Sequence, residues 1–132
     1  MYRRILVPLE CSWIDDKVLD HVQPLASALG AEVVLLRVAR DGLETHEAET
    51  PQVCLGRAAA LLEDAGVAVR TVLAHGRAAD RVVEQAVMLN CDLIVLASQP
   101  VGRLGRLLSG SLADDVRQRS NVPVLLLKPR RG

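Results

Sequence analysis

Apolar residues along this chain fall into two alternating textures: short unbroken runs, and longer stretches repeating every three or four positions. The runs are Arg4–Leu9 (RILVPL), Glu32–Ala39 (EVVLLRVA), residues 67–73, residues 92–97 (DLIVLA) and residues 123–128. A strand covered on both faces reads as such a run, whereas a half-exposed strand alternates. Five strands are therefore predicted, the first of them buried on both faces and the last at a sheet edge. Pro8 lacks an N–H for the ladder and belongs near the end of the first strand. Val18, Val22, Leu25 and Leu29 give a helix after Ser12 that Gly30 stops, with Pro24 a local conflict that predicts a kink. Cys54, Ala58, Leu61, Leu62 and Ala65 mark one face of a second helix closed by Gly66. Ala79, Val83 and Ala86 mark a third, ending near Asn90, and a fourth runs from about Ser109 to Arg119. The acidic stretch at residues 41–51, with His46, reads as an exposed loop.

Strands separated by helices force right-handed crossovers and a mainly parallel sheet, wound on both faces, in one α/β domain spanning residues 1–132. Ligands of such sheets lie beyond the carboxyl ends of the strands, where strand order reverses. The segments facing that edge are residues 10–12, 38–40, 74–76 and 97–111. In them, Gly102 and Gly105 let backbone N–H groups turn toward one point, and Arg103 and Arg106 add charge. Gly110 and Ser111, read as the start of the last helix, would offer a phosphate unpaired N–H groups and the helix dipole. His75 reads as a solvated turn residue after the third strand.

Composition narrows the remaining choices. The 132 residues are half apolar but include one Trp, one Tyr and no Phe, so Val, Leu, Ile and Ala must fill the core. Zero formal net charge leaves no global field to recruit nucleic acid or an anionic membrane. No apolar run approaches the ~20 residues that span a bilayer. Three cysteines, Cys11, Cys54 and Cys91, form no CxxC pair, which argues against zinc. Their odd number suggests reduced thiols and a cytoplasmic location. Cys11 and Ser12 follow a strand as a nucleophile would, yet the G-x-S-x-G elbow and a His/Asp partner set are absent. Ser12 reads as a helix cap, with Asp15 and Asp16 favourably placed against the dipole, and Cys11 as oxidisable if exposed.

Residues 4–12 (RILVPLECS), 92–98 (DLIVLAS) and 121–127 (NVPVLLL) resemble the first, fourth and last strands of universal stress proteins, and element spacing agrees from end to end. The resemblance implies strand order 3-2-1-4-5, a stress-response role, adenine-nucleotide binding with Mg²⁺ if a triphosphate is held, and a homodimer built on the last strand, Val122 to Leu127. ATP-binding members carry Gly, two residues, Gly, nine residues, then Gly-Ser or Gly-Thr. Here the spacing is kept, but the glycines become Ala97 and Pro100, and only Gly110 and Ser111 match. Glu10 stands where the family has Asp, and Cys11 where it has Gly. By the same resemblance Val38 lies beside the adenine, and Leu112 follows the phosphate-binding pair. Proline offers no N–H to a phosphate and fixes φ, so Pro100 weakens the cradle. Ala97 adds a methyl where the backbone would approach the ligand.

The implied function is binding and regulation in stress response, with the nucleotide held weakly or not at all. One alternative is slow ATP hydrolysis or other phospho-ligand chemistry at the same place, against which stand the missing Walker lysine and metal-binding carboxylate pair. The other is a nucleotide-independent adaptor that presents Arg103 and Arg106 to an acidic partner.

Overall fold

The computed structural model describes residues 2–39, 50–98 and 105–128, with residues 105–111 as backbone only. The elements in order are β1 (Arg4–Leu9), α1 (Trp13–Leu29), β2 (Glu32–Ala39), α2 (Pro51–Asp64), β3 (Val69–His75), α3 (Ala78–Met88), β4 (Leu93–Ala97), α4 (Gly105–Arg119) and β5 (Val124–Leu127). The strands form one parallel sheet in the order β3-β2-β1-β4-β5. Fold class and strand order agree with the sequence reading.

Alternate residues of the central strands feed opposite layers. Ile5, Val7, Leu9, Val33, Leu35, Leu93 and Val95 pack with the inner faces of α1 and α2. Leu6, Val34, Leu36, Val38, Ile94 and Leu96 pack with α3 and α4. With so few rings available, branched aliphatic side chains supply the burial on both sides, as their unbroken runs required.

Helix α1 shows how local signals set its limits. The Ser12 hydroxyl accepts from the Ile14 N–H, and Gly30 closes the helix at φ 64, its N–H turned back to Ala26 and Ser27. The left-handed backbone there suits glycine. Pro24 does not interrupt the helix, which runs unbroken from Trp13 to Leu29.

Pro8 shapes the sheet more than the helix-bound proline does. The Glu32 N–H donates to the Arg3 carbonyl, and the Asp92 N–H to the Arg4 carbonyl, both at 2.9 Å. Odd residues of β1 therefore turn their peptide groups toward β2 and even ones toward β4. The N–H missing at Pro8 is one that would have reached β4. Pairing of β1 with β2 runs to Leu9↔Arg37, whereas pairing with β4 stops at Leu6↔Ile94. The sheet thus opens between β1 and β4, where its strand order reverses.

Several element limits differ from the sequence reading. β3 begins two residues later than expected, so His75 is its last residue, paired with Ala39 and exposed, instead of a turn beyond it. Pro51 belongs to α2, entered from Thr50, whose side chain accepts from the Val53 N–H. Proline suits that first turn, because its N–H would be unpaired anyway. Leu61 faces outward at 51 % exposure, and Leu55 takes a buried place instead. The expected loop at residues 41–49 lies outside the described residues.

At the opposite edge of the sheet, Asp92 clamps the start of β1, its carboxylate accepting from the N–H groups of Arg3 and Arg4. Partial burial raises its pKa, but the amides of Arg3, Arg4 and its own residue outweigh that and hold it below 3.8. A depressed folded-state pKa gives stability that is present above the unfolded value and lost as pH falls through the folded one. The gap in urea midpoint between wild type and Asp92→Asn should therefore be widest near neutrality and close as pH falls below 3.8. A gap independent of pH would contradict this role.

Candidate functional site

The opening between β1 and β4 leads into a cavity of about 460 Å³ at the carboxyl ends of the central strands. β1 contributes Pro8 and Leu9, followed by Glu10; β2 contributes Arg37 and Val38; β4 contributes Leu96 and Ala97. Ile14, Asp15 and Val18 of α1 form one wall. Arg77 with Ala78, Ala79 and Val82 of α3, and Leu112 with Asp115 of α4, form the other. A mainly apolar lining with a few charged groups suits a small ligand that has one flat apolar part and one polar part.

Four residues singled out from the sequence meet here: Glu10, Val38, Ala97 and Leu112. Pro100, Gly102 and Arg103 lie outside the described residues. Gly105 opens α4, and Arg106 follows in its first turn. Gly110 and Ser111 are a correction. α4 starts at Gly105, so these two residues sit in its second turn and not at its start. Only the first four N–H groups of a helix lack an intrahelical partner, so the unpaired amides of this helix come from residues nearer Gly105. His75 is not among the residues lining the cavity.

Asp15, Arg37, Arg77 and Asp115 are the charged lining residues that sequence reasoning missed. Arg37 carried a visible signal, as a charge standing among the apolar residues of β2. Asp15 carried one too, standing three residues after the cap Ser12 at capping-box spacing. Its role exceeds a dipole contact. Asp15 is 5 % exposed, and its two carboxylate oxygens accept from the N–H groups of Glu10 at 2.9 Å and Cys11 at 2.7 Å. Burial pushes its pKa above 3.8, opposed by the N–H groups of Glu10, Cys11 and Ser12 and by the charge of Arg37. This buried carboxylate therefore fixes the turn on which Glu10 is carried.

The cysteines require a second correction. Cys11 and Cys54 form a disulfide, with Cα atoms 5.9 Å apart, and only Cys91 is free. Crossovers β1–α1–β2 and β2–α2–β3 lay α1 and α2 on the same face of the sheet. The turn before α1 thereby meets the first turns of α2, across a separation of 43 residues. Local spacing rules such as CxxC cannot register that proximity. Cys11 also has a left-handed backbone, φ 60. Cys91 is buried in the other layer, and burial pushes its thiol up to about 11.

The universal stress protein family model matches residues 1–128. Universal stress protein YxiE of Bacillus subtilis is 27 % identical, over 97 % of this chain and 100 % of its own. Universal stress protein MJ0531 of Methanocaldococcus jannaschii is 28 % identical, over 97 % and 83 %. The solved structure of MJ0577 superposes with a TM-score of 0.83 at 26 % identity, covering 100 % of this chain and 99 % of that one. A universal stress protein from Archaeoglobus fulgidus, solved in complex with dAMP, shares the fold at a TM-score of 0.74 and 22 % identity, over 96 % and 98 %. Among the described residues no helix is long and apolar enough to cross a membrane. The chain belongs to the universal stress protein family.

Proposed function

We propose that this protein is a regulatory binding protein of the stress response whose cavity takes the nucleoside end of an adenine nucleotide. The observation that carries this reading is the cavity between β1 and β4, which gathers Glu10 and Val38 at the switch point of the sheet. Val38 and the neighbouring aliphatic residues suit a purine face, and Glu10 stands where a ribose hydroxyl can donate to it. The same fold holds dAMP in the Archaeoglobus fulgidus protein. The polyphosphate is gripped less well, because Ala97 and Pro100 replace the glycines of the family's loop and Pro100 has no N–H.

Calorimetric titration with AMP, and with ATP plus Mg²⁺, tests this. AMP and ATP should bind with affinities within a few-fold of each other. Ala97→Gly with Pro100→Gly should strengthen ATP by about tenfold, roughly one recovered backbone hydrogen bond, and leave AMP unchanged. Flat traces for both nucleotides at millimolar concentration would remove the proposal. Tight ATP binding by the wild-type loop would remove the part concerning phosphate.

The protein is further proposed to be a cytoplasmic, single-domain homodimer joined through β5. β5 is the outer strand next to β4, so among the described residues one of its edges has no strand beside it, and Leu125 is 38 % exposed. An apolar edge of this kind is a template for pairing. Leu125→Arg should halve the mass measured by sedimentation equilibrium without altering the circular dichroism. A wild-type chain that sediments as a monomer would refute the pairing.

A further inference from the structure

We propose that Cys11 and Cys54 are a reversible redox site, a dithiol–disulfide pair that exchanges with low-molecular-weight disulfides and sets how firmly the turn carrying Glu10 is held against the cavity. The effect on ligand grip rests on the nucleotide reading above; the redox site itself does not.

Cys11 lies between Glu10, a lining residue, and Ser12, the cap of α1. Its φ of 60 is disfavoured for any residue with a Cβ, so the conformation persists because the surroundings impose it. Two tethers do so. One is Asp15, whose carboxylate accepts the N–H groups of Glu10 and Cys11. The other is the bridge to Cys54, which is buried in the first turns of α2. Reduction removes the second tether. The Cys11 backbone then gains access to the right-handed region, and the peptide joining it to Glu10 turns with it.

Access is asymmetric, which gives the exchange an order. Cys11 is half-buried, whereas Cys54 is 1 % exposed. The Cys11 thiolate attacks one sulfur of a disulfide RSSR, releasing one RSH and leaving a mixed disulfide on Cys11. The Cys54 thiolate then displaces the second RSH. In sum, two protein thiols and RSSR give the Cys11–Cys54 disulfide and two RSH. The two electrons and two protons lost by the protein end on the released thiols. Reduction runs the same steps backward, entering at Cys11. Cys91 takes no part, being buried in the opposite layer with its thiol pushed up to about 11.

The test uses the full chain equilibrated in glutathione and glutathione disulfide at graded ratios, then trapped with an alkylating agent and weighed. Two thiols, assigned by peptide mapping to Cys11 and Cys54, should titrate together in one reversible two-electron transition. Backbone hydrogen exchange is then compared between oxidised protein and the same protein reduced by a phosphine. The amides of Glu10 and Cys11 should exchange at least tenfold faster when reduced. AMP should bind about tenfold more weakly to the reduced form, and Cys11→Ser should bind at that lower level under either condition. Because phosphine reduction alters no residue, poor folding of a variant does not obscure the comparison. A pair that does not respond to glutathione poise, or exchange rates equal in both forms, would overturn the redox latch. Absence of AMP binding in both forms, with the exchange difference intact, would instead overturn the nucleotide reading and leave the latch standing.

Discussion

Relative to the oxidised chain, Cys54→Ser is expected to lose about 4 kcal/mol of stability, the loop-closure value for a bridge spanning 43 residues. Two smaller contributions act in opposite directions. A serine hydroxyl at this buried position, where the residue is 1 % exposed, lacks the sulfur's apolar contacts and deepens the loss by about 1 kcal/mol. Release of Cys11 from its left-handed backbone returns about 1 kcal/mol. The midpoint of thermal unfolding should fall by roughly 12 °C, at about 3 °C per kcal/mol for a chain of this length. Wild-type protein unfolded in the presence of a phosphine should fall to nearly the same midpoint, since most of the effect resides in the unfolded chain. Oxidised wild type, reduced wild type and Cys54→Ser unfolding at one urea concentration would show that the bridge constrains nothing.

Asp15→Ala carries the next largest expected effect, about 3 kcal/mol. The substitution strands two backbone N–H groups, those of Glu10 and Cys11, and each unpaired donor costs about 1–3 kcal/mol. Relief from burying a carboxylate offsets part of this sum, which is why the lower half of the range applies. Asp15→Asn keeps one acceptor oxygen but turns an NH₂ group toward the other donor, so roughly half the loss should remain. Urea unfolding of the three proteins checks the order wild type, Asn, Ala. Asp15 and the bridge also act on the same residue, Cys11, so their effects should not add. In the double variant Asp15→Ala, Cys54→Ser the total loss should depart from the sum of the singles by about 1 kcal/mol. Strict additivity would show that the two tethers are independent.

Most of the framework was legible in the sequence because the signals that set it are local. β1 and β2 match their apolar runs to the residue, and α1 begins and ends where Ser12 and Gly30 place it. β3 slid by two residues because Arg70 and Thr71 interrupt its apolar sequence and leave it partly exposed, so its ends are weakly specified. The start of α4 was misread because Ser109 and Ser111 resemble caps, while the helix extends back to Gly105. Within the site, Glu10, Val38, Ala97 and Leu112 were reachable from strand ends and family spacing. Arg77 and Asp115 were not, since their part depends on where α3 and α4 come to rest against the ends of the central strands. The disulfide was the least legible feature, because nothing local links position 11 to position 54.

The early parting of β1 from β4 at Pro8 has a consequence for how such a protein diversifies. A pyrrolidine nitrogen with no hydrogen to donate keeps the two strands from zipping shut. The entrance is thus written in the main chain, and the residues around it can be exchanged one at a time without closing the door. Specificity can drift while the doorway stays open.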